Sequence, residues 1–420
     1  MRFLAENAWV DGGIERDVLI EIVDGRFTRV QAGAGEPATR LGGVVLPGLS
    51  NAHSHAFHRV LRGRTHGRPG SFWTWRAQMY EVAGQLQPDS YFRLAKAVYG
   101  EMALAGITCV GEFHYLHHRP DGRPYDDPNA MGHALIEAAR AAGIRITLLD
   151  ALYLKSSVDG KAPHGVQWRF SDGSWEHWRE RVARLRAPEG AKVGAAYHSV
   201  RAVPEEALLP VDGPLHIHLS EQREENEACL AVHRRTPTDL LRRCGVLGPG
   251  TTVVHATHLA DEDIAALAGT GVCLCPTTER DLADGIGPVR ALTARSPLSL
   301  GSDSHAVIDL FEEARVAEMH ERLATERRGH FTPAELIAAA TNHAALGWDD
   351  AGRIAVGQRA DLVAVRTDSV RTAGVAPDQV IYAATPADIT DVVVDGRHIV
   401  SEGRHTGFDV AEALRDAVHQ

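Results

Sequence analysis

Apolar residues along this chain fall into short, nearly unbroken runs separated by longer stretches of helical periodicity. The runs lie at 107–113, 144–152, 193–198, 215–219, 252–255, 272–275 and 298–301, and Gly43-Val44-Val45-Leu46-Pro47-Gly48-Leu49 ahead of them makes eight. A half-exposed strand would alternate polar and apolar residues. These runs do not, so each is expected to be buried on both faces. Between them, 91–105, 130–142, 224–243 and 333–345 carry apolar residues at helical spacing. Eight buried strands with helices between them predict an α/β fold, a (β/α)8 TIM-like barrel, with its chemistry at the C-terminal strand ends. Residues 59–70 and 119–128, with their Arg, Pro and Gly, read as long loops over the mouth.

The two ends of the chain read differently. Val18-Leu19-Ile20-Glu21-Ile22-Val23 meets Arg26-Phe27-Thr28-Arg29-Val30 across Asp24-Gly25, and near the other end 391–394 meets 397–400 across Asp395-Gly396. Asp-Gly between two such runs signals a tight hairpin. A further strand is expected at 361–365. The expected organisation is a small β-sandwich domain built from both termini. Residues 1–47 supply its N-terminal part, 48–349 form the catalytic barrel, and 350–420 complete the sandwich and add a terminal helix.

Composition narrows the class. The chain has 420 residues, 44 of them Lys or Arg and 55 Asp or Glu, a formal charge of −11. That balance argues against nucleic acid as a partner. The first twenty residues mix six charges with apolar positions, and no run approaches the length of a membrane span, so no membrane partner is expected. Five cysteines without framework spacing fit a reduced, cytoplasmic protein.

Chemistry concentrates at the expected strand ends. His53 and His55, spaced i, i+2 on an extended segment, point to the same side and can reach one ion. His216 and His218 close the fifth strand with Glu221 three residues beyond, His255 and His258 close the sixth, and Asp303 and His305 follow the eighth. A nitrogen-rich set with one carboxylate suits Zn²⁺ with three or four protein ligands and an open position. His216 lies one layer deeper than His218 and is assigned to packing or to support behind the ion site. His258 and His305 are assigned to support or loop positions.

With Pro-Gly-Leu-Ser-Asn-Ala-His53-Ser-His55, His218 with Glu221, His255, and Gly301-Ser-Asp303-Ser in place, the chain resembles the amidohydrolase superfamily over nearly its whole length. The resemblance implies His53, His55, His218 and Asp303 as metal ligands, and His255 and Glu221 as groups acting on substrate and water. Binuclear members carry a lysine near the end of the fourth strand. Here Lys192 sits at its start and Lys155 reads as a surface-loop residue, so one zinc per chain is expected. Zn²⁺ lowers the pKa of a bound water toward about 7. Asp303 and His255 would take the water proton, and Glu221 would protonate the departing nitrogen.

Within the superfamily, Ser71-Phe72-Trp73-Thr74-Trp75-Arg76 with Met79-Tyr80, Gly111-Glu112-Phe113-His114-Tyr115-Leu116-His117-His118, and His198-Ser199-Val200-Arg201-Ala202-Val203 are similar to the formimidoylglutamate deiminase family. That likeness implies hydrolysis of N-formimidoyl-L-glutamate to N-formyl-L-glutamate and ammonia in histidine degradation, and a homodimer. A small-molecule substrate with two carboxylates asks for planar bidentate donors. Arg76, on a mouth loop, and Arg201, past the fourth strand, fit that need, with Tyr115 and His198 as further donors. Three residues after His55 the family usually has glutamine, where this chain has His58, a departure that bears on fine specificity. Arg59, Arg62, Arg64 and Arg68 make the rim locally basic. Three other accounts stay open: a guanine- or adenosine-type deaminase, an imidazolonepropionase-like ring hydrolase, and a non-catalytic metal-binding barrel.

Overall fold

The computed structural model describes residues 1–33, 36–65, 67 and 69–418. Eight parallel strands run in sequence order around a barrel: Leu49–Ser54, Ile107–His114, Arg145–Leu152, Ala191–Tyr197, Leu215–Leu219, Thr251–His255, Gly271–Leu274 and Leu298–Leu300. Nearly every position in them is buried, as unbroken apolar runs require. The ring closes between the eighth and first strands. There Asp303 N–H donates to His53 C=O at 3.0 Å and His55 N–H donates to Asp303 C=O at 3.3 Å. Gly301 permits this crossing, since a Cβ on it would stand 2.7 to 2.9 Å from the Cβ, N and O of His53.

The first barrel strand is not the run expected. Residues 43–49 belong mostly to Thr39–Pro47, a strand of the terminal sheet, while the barrel strand is Leu49–Ser54, with His53 inside it. Gly48 is the crossing point. A Cβ there would collide with Thr108 at 2.4 Å and Asp361 at 2.8 Å, so only glycine lets the chain pass between the two sheets.

The helices follow their local signals with two corrections. Ala130–Ala142 stops at Gly143, whose φ of +81° suits a helix end. The expected helix 224–243 is two, Arg223–His233 and Pro237–Arg243, because Arg234 adopts a left-handed conformation and Pro237 starts a new helix. The helix expected to 345 ends at Ala340. Among the described residues, no helix is long and apolar enough to cross a membrane.

Four strands from each terminus join in one mixed eight-stranded sheet. It folds over its own small core, where Phe3, Ile20 and Phe27 meet Leu362 and Val393. The hairpins at Asp24-Gly25 and Asp395-Gly396 are present. A buried ion pair ties this sheet to the barrel floor: Arg145, at the start of the third barrel strand, donates to Asp361 Oδ1 at 2.8 Å and Asp395 Oδ1 at 3.0 Å.

Candidate active site

The C-terminal strand ends deliver five side chains to one point. His53 and His55 come from the first strand, His218 from the fifth, His255 from the sixth and Asp303 from just past the eighth. Ser220, His255 and Asp303 have φ of +50°, +71° and +41°. A left-handed turn at a non-glycine residue costs about 1–3 kcal/mol and persists only where its surroundings enforce it. Here the turns break the strands where those side chains must face the mouth.

Backbone carbonyls set the imidazole tautomers. His55 Nδ1–H donates to Phe113 C=O at 2.9 Å and His218 Nδ1–H donates to His198 C=O at 2.7 Å, which leaves both Nε2 atoms with free lone pairs. These converge with His53 and Asp303. His218 Nε2 lies 3.1 Å from His53 Nε2, and Asp303 Oδ1 lies 3.5 Å from the Nε2 of both His53 and His55. A tetrahedral ion with ligands at about 2.0–2.1 Å has edges of about 3.3–3.4 Å, so the observed separations bracket the geometry a Zn²⁺-like ion demands. Burial lowers the pKa of His53, His55 and His218, keeping them neutral, as ligands must be. Burial alone would raise Asp303, but His53 and His255 outweigh it and hold the carboxylate ionised. These residues fit a divalent cation.

Around this cluster stand the groups that could move protons. His255 Nε2 lies 3.9 Å from Asp303 Oδ2 and 3.8 Å from Glu221 Oε1, and its Nδ1 faces Glu279 Oε1 at 3.5 Å. Burial opposes its charge, but Glu221, Glu279 and Asp303 prevail and push its pKa up to about 10. Glu221 is raised, chiefly by burial, with His255 and Arg201 opposing. It does not cap a helix: the next helix begins at Arg223 after Gln222.

Behind the ligands a hydrogen-bond chain locks the closure of the barrel. Glu112 accepts from Ser54 Oγ at 2.6 Å and Ala56 N–H at 2.7 Å. Ser54 meets His305 Nε2 at 3.1 Å, His305 Nδ1 meets Ser302 Oγ at 3.0 Å, and Ser302 Oγ accepts from Asn51 Nδ2 at 2.7 Å. His305 is thus the supporting residue expected. His216 is held by Ala345 C=O at 2.9 Å, below the ion site.

The pocket above the cluster contains His58, Arg76, Tyr115, His198 and Arg201. His58 Nε2 meets Tyr115 Oη at 3.0 Å, and burial lowers its pKa to about 3, so the ring is neutral. Burial, then Arg201 and Arg76, push His198 well down. Arg201 is committed in part to acids, with Nε 3.2 Å from Glu225 and Nη2 3.5 Å from Glu221. Arg76 lies on the helix Phe72–Gln85 rather than on a loop. Its guanidinium packs over Trp73 at 4.5 Å and Tyr80 at 5.5 Å, and among the described residues no carboxylate pairs with it.

Sequence reasoning missed several neighbours. Tyr153 follows the third strand by one residue and lines the pocket, so the strand-end rule that found the histidines could have found it. Glu279 and Glu225 come from helices and carried no such signal. Lys155, expected at the surface, is buried and donates to Val158 C=O at 3.3 Å. It takes no part in the histidine cluster. Arg59 and Arg62 are bound to Glu101 at 2.8 and 2.5 Å and do not form a free basic rim; Arg68 lies outside the described residues. His114 and His117 group with Asp150, but both oxygens of that carboxylate are occupied by Arg181 at 2.8 Å, which leaves a structural network rather than a metal site.

The model of the amidohydrolase family matches residues 44–399. Formimidoylglutamate deiminase of Pseudomonas aeruginosa is 38% identical over 433 aligned residues, covering 96% of this chain and 95% of that protein. The 8-oxoguanine deaminase of the same organism is 29% identical, covering 94% and 92%. The crystal structure of an amidohydrolase from Brucella melitensis superposes with a TM-score of 0.88 at 31% identity, covering 100% of this chain and 99% of that one.

Proposed function

Since the chain belongs to the amidohydrolase family, we propose that it uses one zinc ion to convert N-formimidoyl-L-glutamate and water to N-formyl-L-glutamate and ammonia, a step of histidine degradation. In this reading His53, His55, His218 and Asp303 hold the cation, which supplies the Lewis acidity that makes water nucleophilic near neutral pH. Asp303 receives the water proton as oxygen bonds to the amidine carbon, while the charged ring of His255, 3.9 Å from Asp303 Oδ2, orients the water and balances the negative charge that develops. Glu221, 3.8 Å from His255, delivers a proton to the amidine nitrogen, and the carbon–nitrogen bond breaks to release ammonia.

The observation that carries the substrate class is the uncompensated guanidinium of Arg76, stacked on Trp73 and Tyr80 within the same pocket as the histidine cluster. A partly buried cation without an acidic partner suits an anionic ligand, and its planar donors match a carboxylate. Arg201, a second guanidinium in the pocket, is held in place by Glu225 and Glu221. His58, Tyr115 and His198 supply polar contacts to the rest of the molecule. The 38% identity to a formimidoylglutamate deiminase over 96% of the chain supports the same choice.

A second reading rests on the walls. Phe72, Trp75, Tyr80, Tyr115 and Phe170 would also flank a flat heterocycle, and an 8-oxoguanine deaminase is among the relatives. Ammonia release from N-formimidoyl-L-glutamate, its aspartate homologue and 8-oxoguanine, with metal content measured on the same sample, separates the two. Turnover of the dicarboxylate is expected. Turnover of the purine alone would overturn the proposal.

A further inference from the structure

The seventh barrel strand brings a thiol to the edge of the ion site. Cys275, one residue past Gly271–Leu274, is fully buried and free. Its Sγ, a ring nitrogen of His255 and a carboxylate oxygen of Asp303 all lie within 4.8 Å of one another. The two oxygens of Asp303 face different ways. Oδ1 stands 3.5 Å from His53 and His55, whereas Oδ2 stands 3.9 Å from His255. A carboxylate so placed can give one oxygen to each of two cations, as in paired-metal sites with ions about 3.5–4 Å apart. His255 turns Nε2 toward Asp303 Oδ2, and its buried Nδ1 comes no closer to a carboxylate than 3.5 Å, to Glu279 Oε1. Glu221 and Glu279 flank the ring, so the surroundings favour positive charge.

We propose that Cys275, His255 and the outer oxygen of Asp303 form a second, weaker site for a soft or borderline divalent cation, beside the ion held by His53, His55 and His218, and that filling it blocks turnover. Thiolate, imidazole and carboxylate are the donors Zn²⁺ accepts at tetrahedral sites. The Cys275 thiol proton and the ring proton of the charged His255 both pass to solvent as the sulfur–metal and nitrogen–metal bonds form, and those displacements make this site weaker than one built from neutral imidazoles. Inhibition follows because the free oxygen of Asp303 can no longer take the water proton and His255, bound to metal, no longer presents a charged N–H to the water. The inference rests on the first ion site proposed above, and the test separates the two.

Chelator-stripped full-length protein is titrated with Co²⁺ while the absorption spectrum, bound metal per chain and ammonia release are followed, and the series is repeated with Zn²⁺. The expected result is that one equivalent supports activity, and that a second, weaker equivalent brings a near-ultraviolet thiolate-to-cobalt band. Turnover then falls about 10²-fold, the scale of losing a proton-transfer group. In Cys275→Ala the band and the second equivalent disappear while the first equivalent is retained, which also shows that the variant folds. Cys273→Ala, two residues back on the same strand, keeps the band. Binding of a single equivalent, a second equivalent without the band, or a band that survives in Cys275→Ala overturns the second site. Failure of any cation to bind overturns the first site with it.

Discussion

Gly301→Ala tests whether the closure of the barrel sets the geometry of the ion site. The added Cβ would meet His53 Cβ at 2.7 Å and His53 N and O at 2.9 Å. Ordinary carbon contacts begin near 3.5 Å, so the eighth and first strands must part by about 0.6–0.8 Å. His53 Nε2 is the corner shared by the 3.1 Å and 3.5 Å edges of the donor cluster. Metal–ligand distances tolerate only about ±0.2 Å, and His53 cannot follow the first strand outward and keep its bond. Cation affinity should therefore drop by about 10- to 100-fold, the range seen when groups supporting a ligand are removed. Crowding a packed core should cost a further ~1–3 kcal/mol of stability. Zinc binding to the stripped protein by competition with a chromophoric chelator reads the first quantity, and urea unfolding of the stripped protein the second. Gly13→Ala serves as the control, since a Cβ there meets nothing within 4 Å. If Gly301→Ala binds zinc as tightly as the parent protein, strand closure does not position His53 and the account of the centre fails.

Other parts of the structure make separate claims. Burial raises the Glu112 carboxyl to about 8, despite hydrogen bonds from Ser54 and Ala56 that favour its charged form. Between about 4.5 and 8 the folded chain then holds a proton at this site that the unfolded chain has lost, so this group's contribution to stability falls as pH rises through that window and is flat above it. Glu112→Gln should abolish that slope in urea unfolding followed from pH 5 to 9, and an unchanged slope would exclude Glu112 as its source. Arg76→Ala should raise KM for N-formimidoyl-L-glutamate by about 10- to 100-fold, the worth of a charged hydrogen bond, and raise it less for an analogue lacking one carboxylate; equal effects on both would remove Arg76 from substrate recognition. Glu221→Gln should lower kcat by about 10²-fold or more while zinc content stays at one per chain, whereas full activity would assign the proton transfer elsewhere. Asp361→Ala leaves Arg145 with one carboxylate partner, Asp395, in a buried place and should cost about 3–5 kcal/mol in urea unfolding. A loss below 1 kcal/mol would mean that water reaches this pair.

What the sequence conceals follows from the physics that made the rest legible. Strands two to eight announce themselves because burial on both faces demands apolar residues, and the observed strands coincide with the expected runs to within two residues at either end. The first strand, Leu-Ser-Asn-Ala-His-Ser, escapes that test. It is buried throughout, yet four of its six residues are polar, and three of those side chains are engaged. His53 faces the ion site, Asn51 is bonded to Ser302, and Ser54 to Glu112. Its more apolar neighbour, Thr39–Pro47, reads as the barrel strand in its place because the terminal sheet buries that run as fully as a barrel would. The ligands could still be found, since a strand end and a period of two fix where His53 and His55 point whichever run is named the strand. The strand-end rule reaches only part of the walls, Tyr115, Tyr153 and His198, each one residue past a strand. Arg76 stands on a helix 21 residues past His55, and Glu225 and Glu279 meet Arg201 and His255 only because helices after the fifth and seventh strands fold back over the mouth. The histidine cluster is therefore encoded by local spacing, and much of the pocket wall above it by tertiary packing of βα segments. Substitutions in the second class, such as one at Arg76, can change what the pocket accepts while the strand-end histidines and Asp303 stay in place.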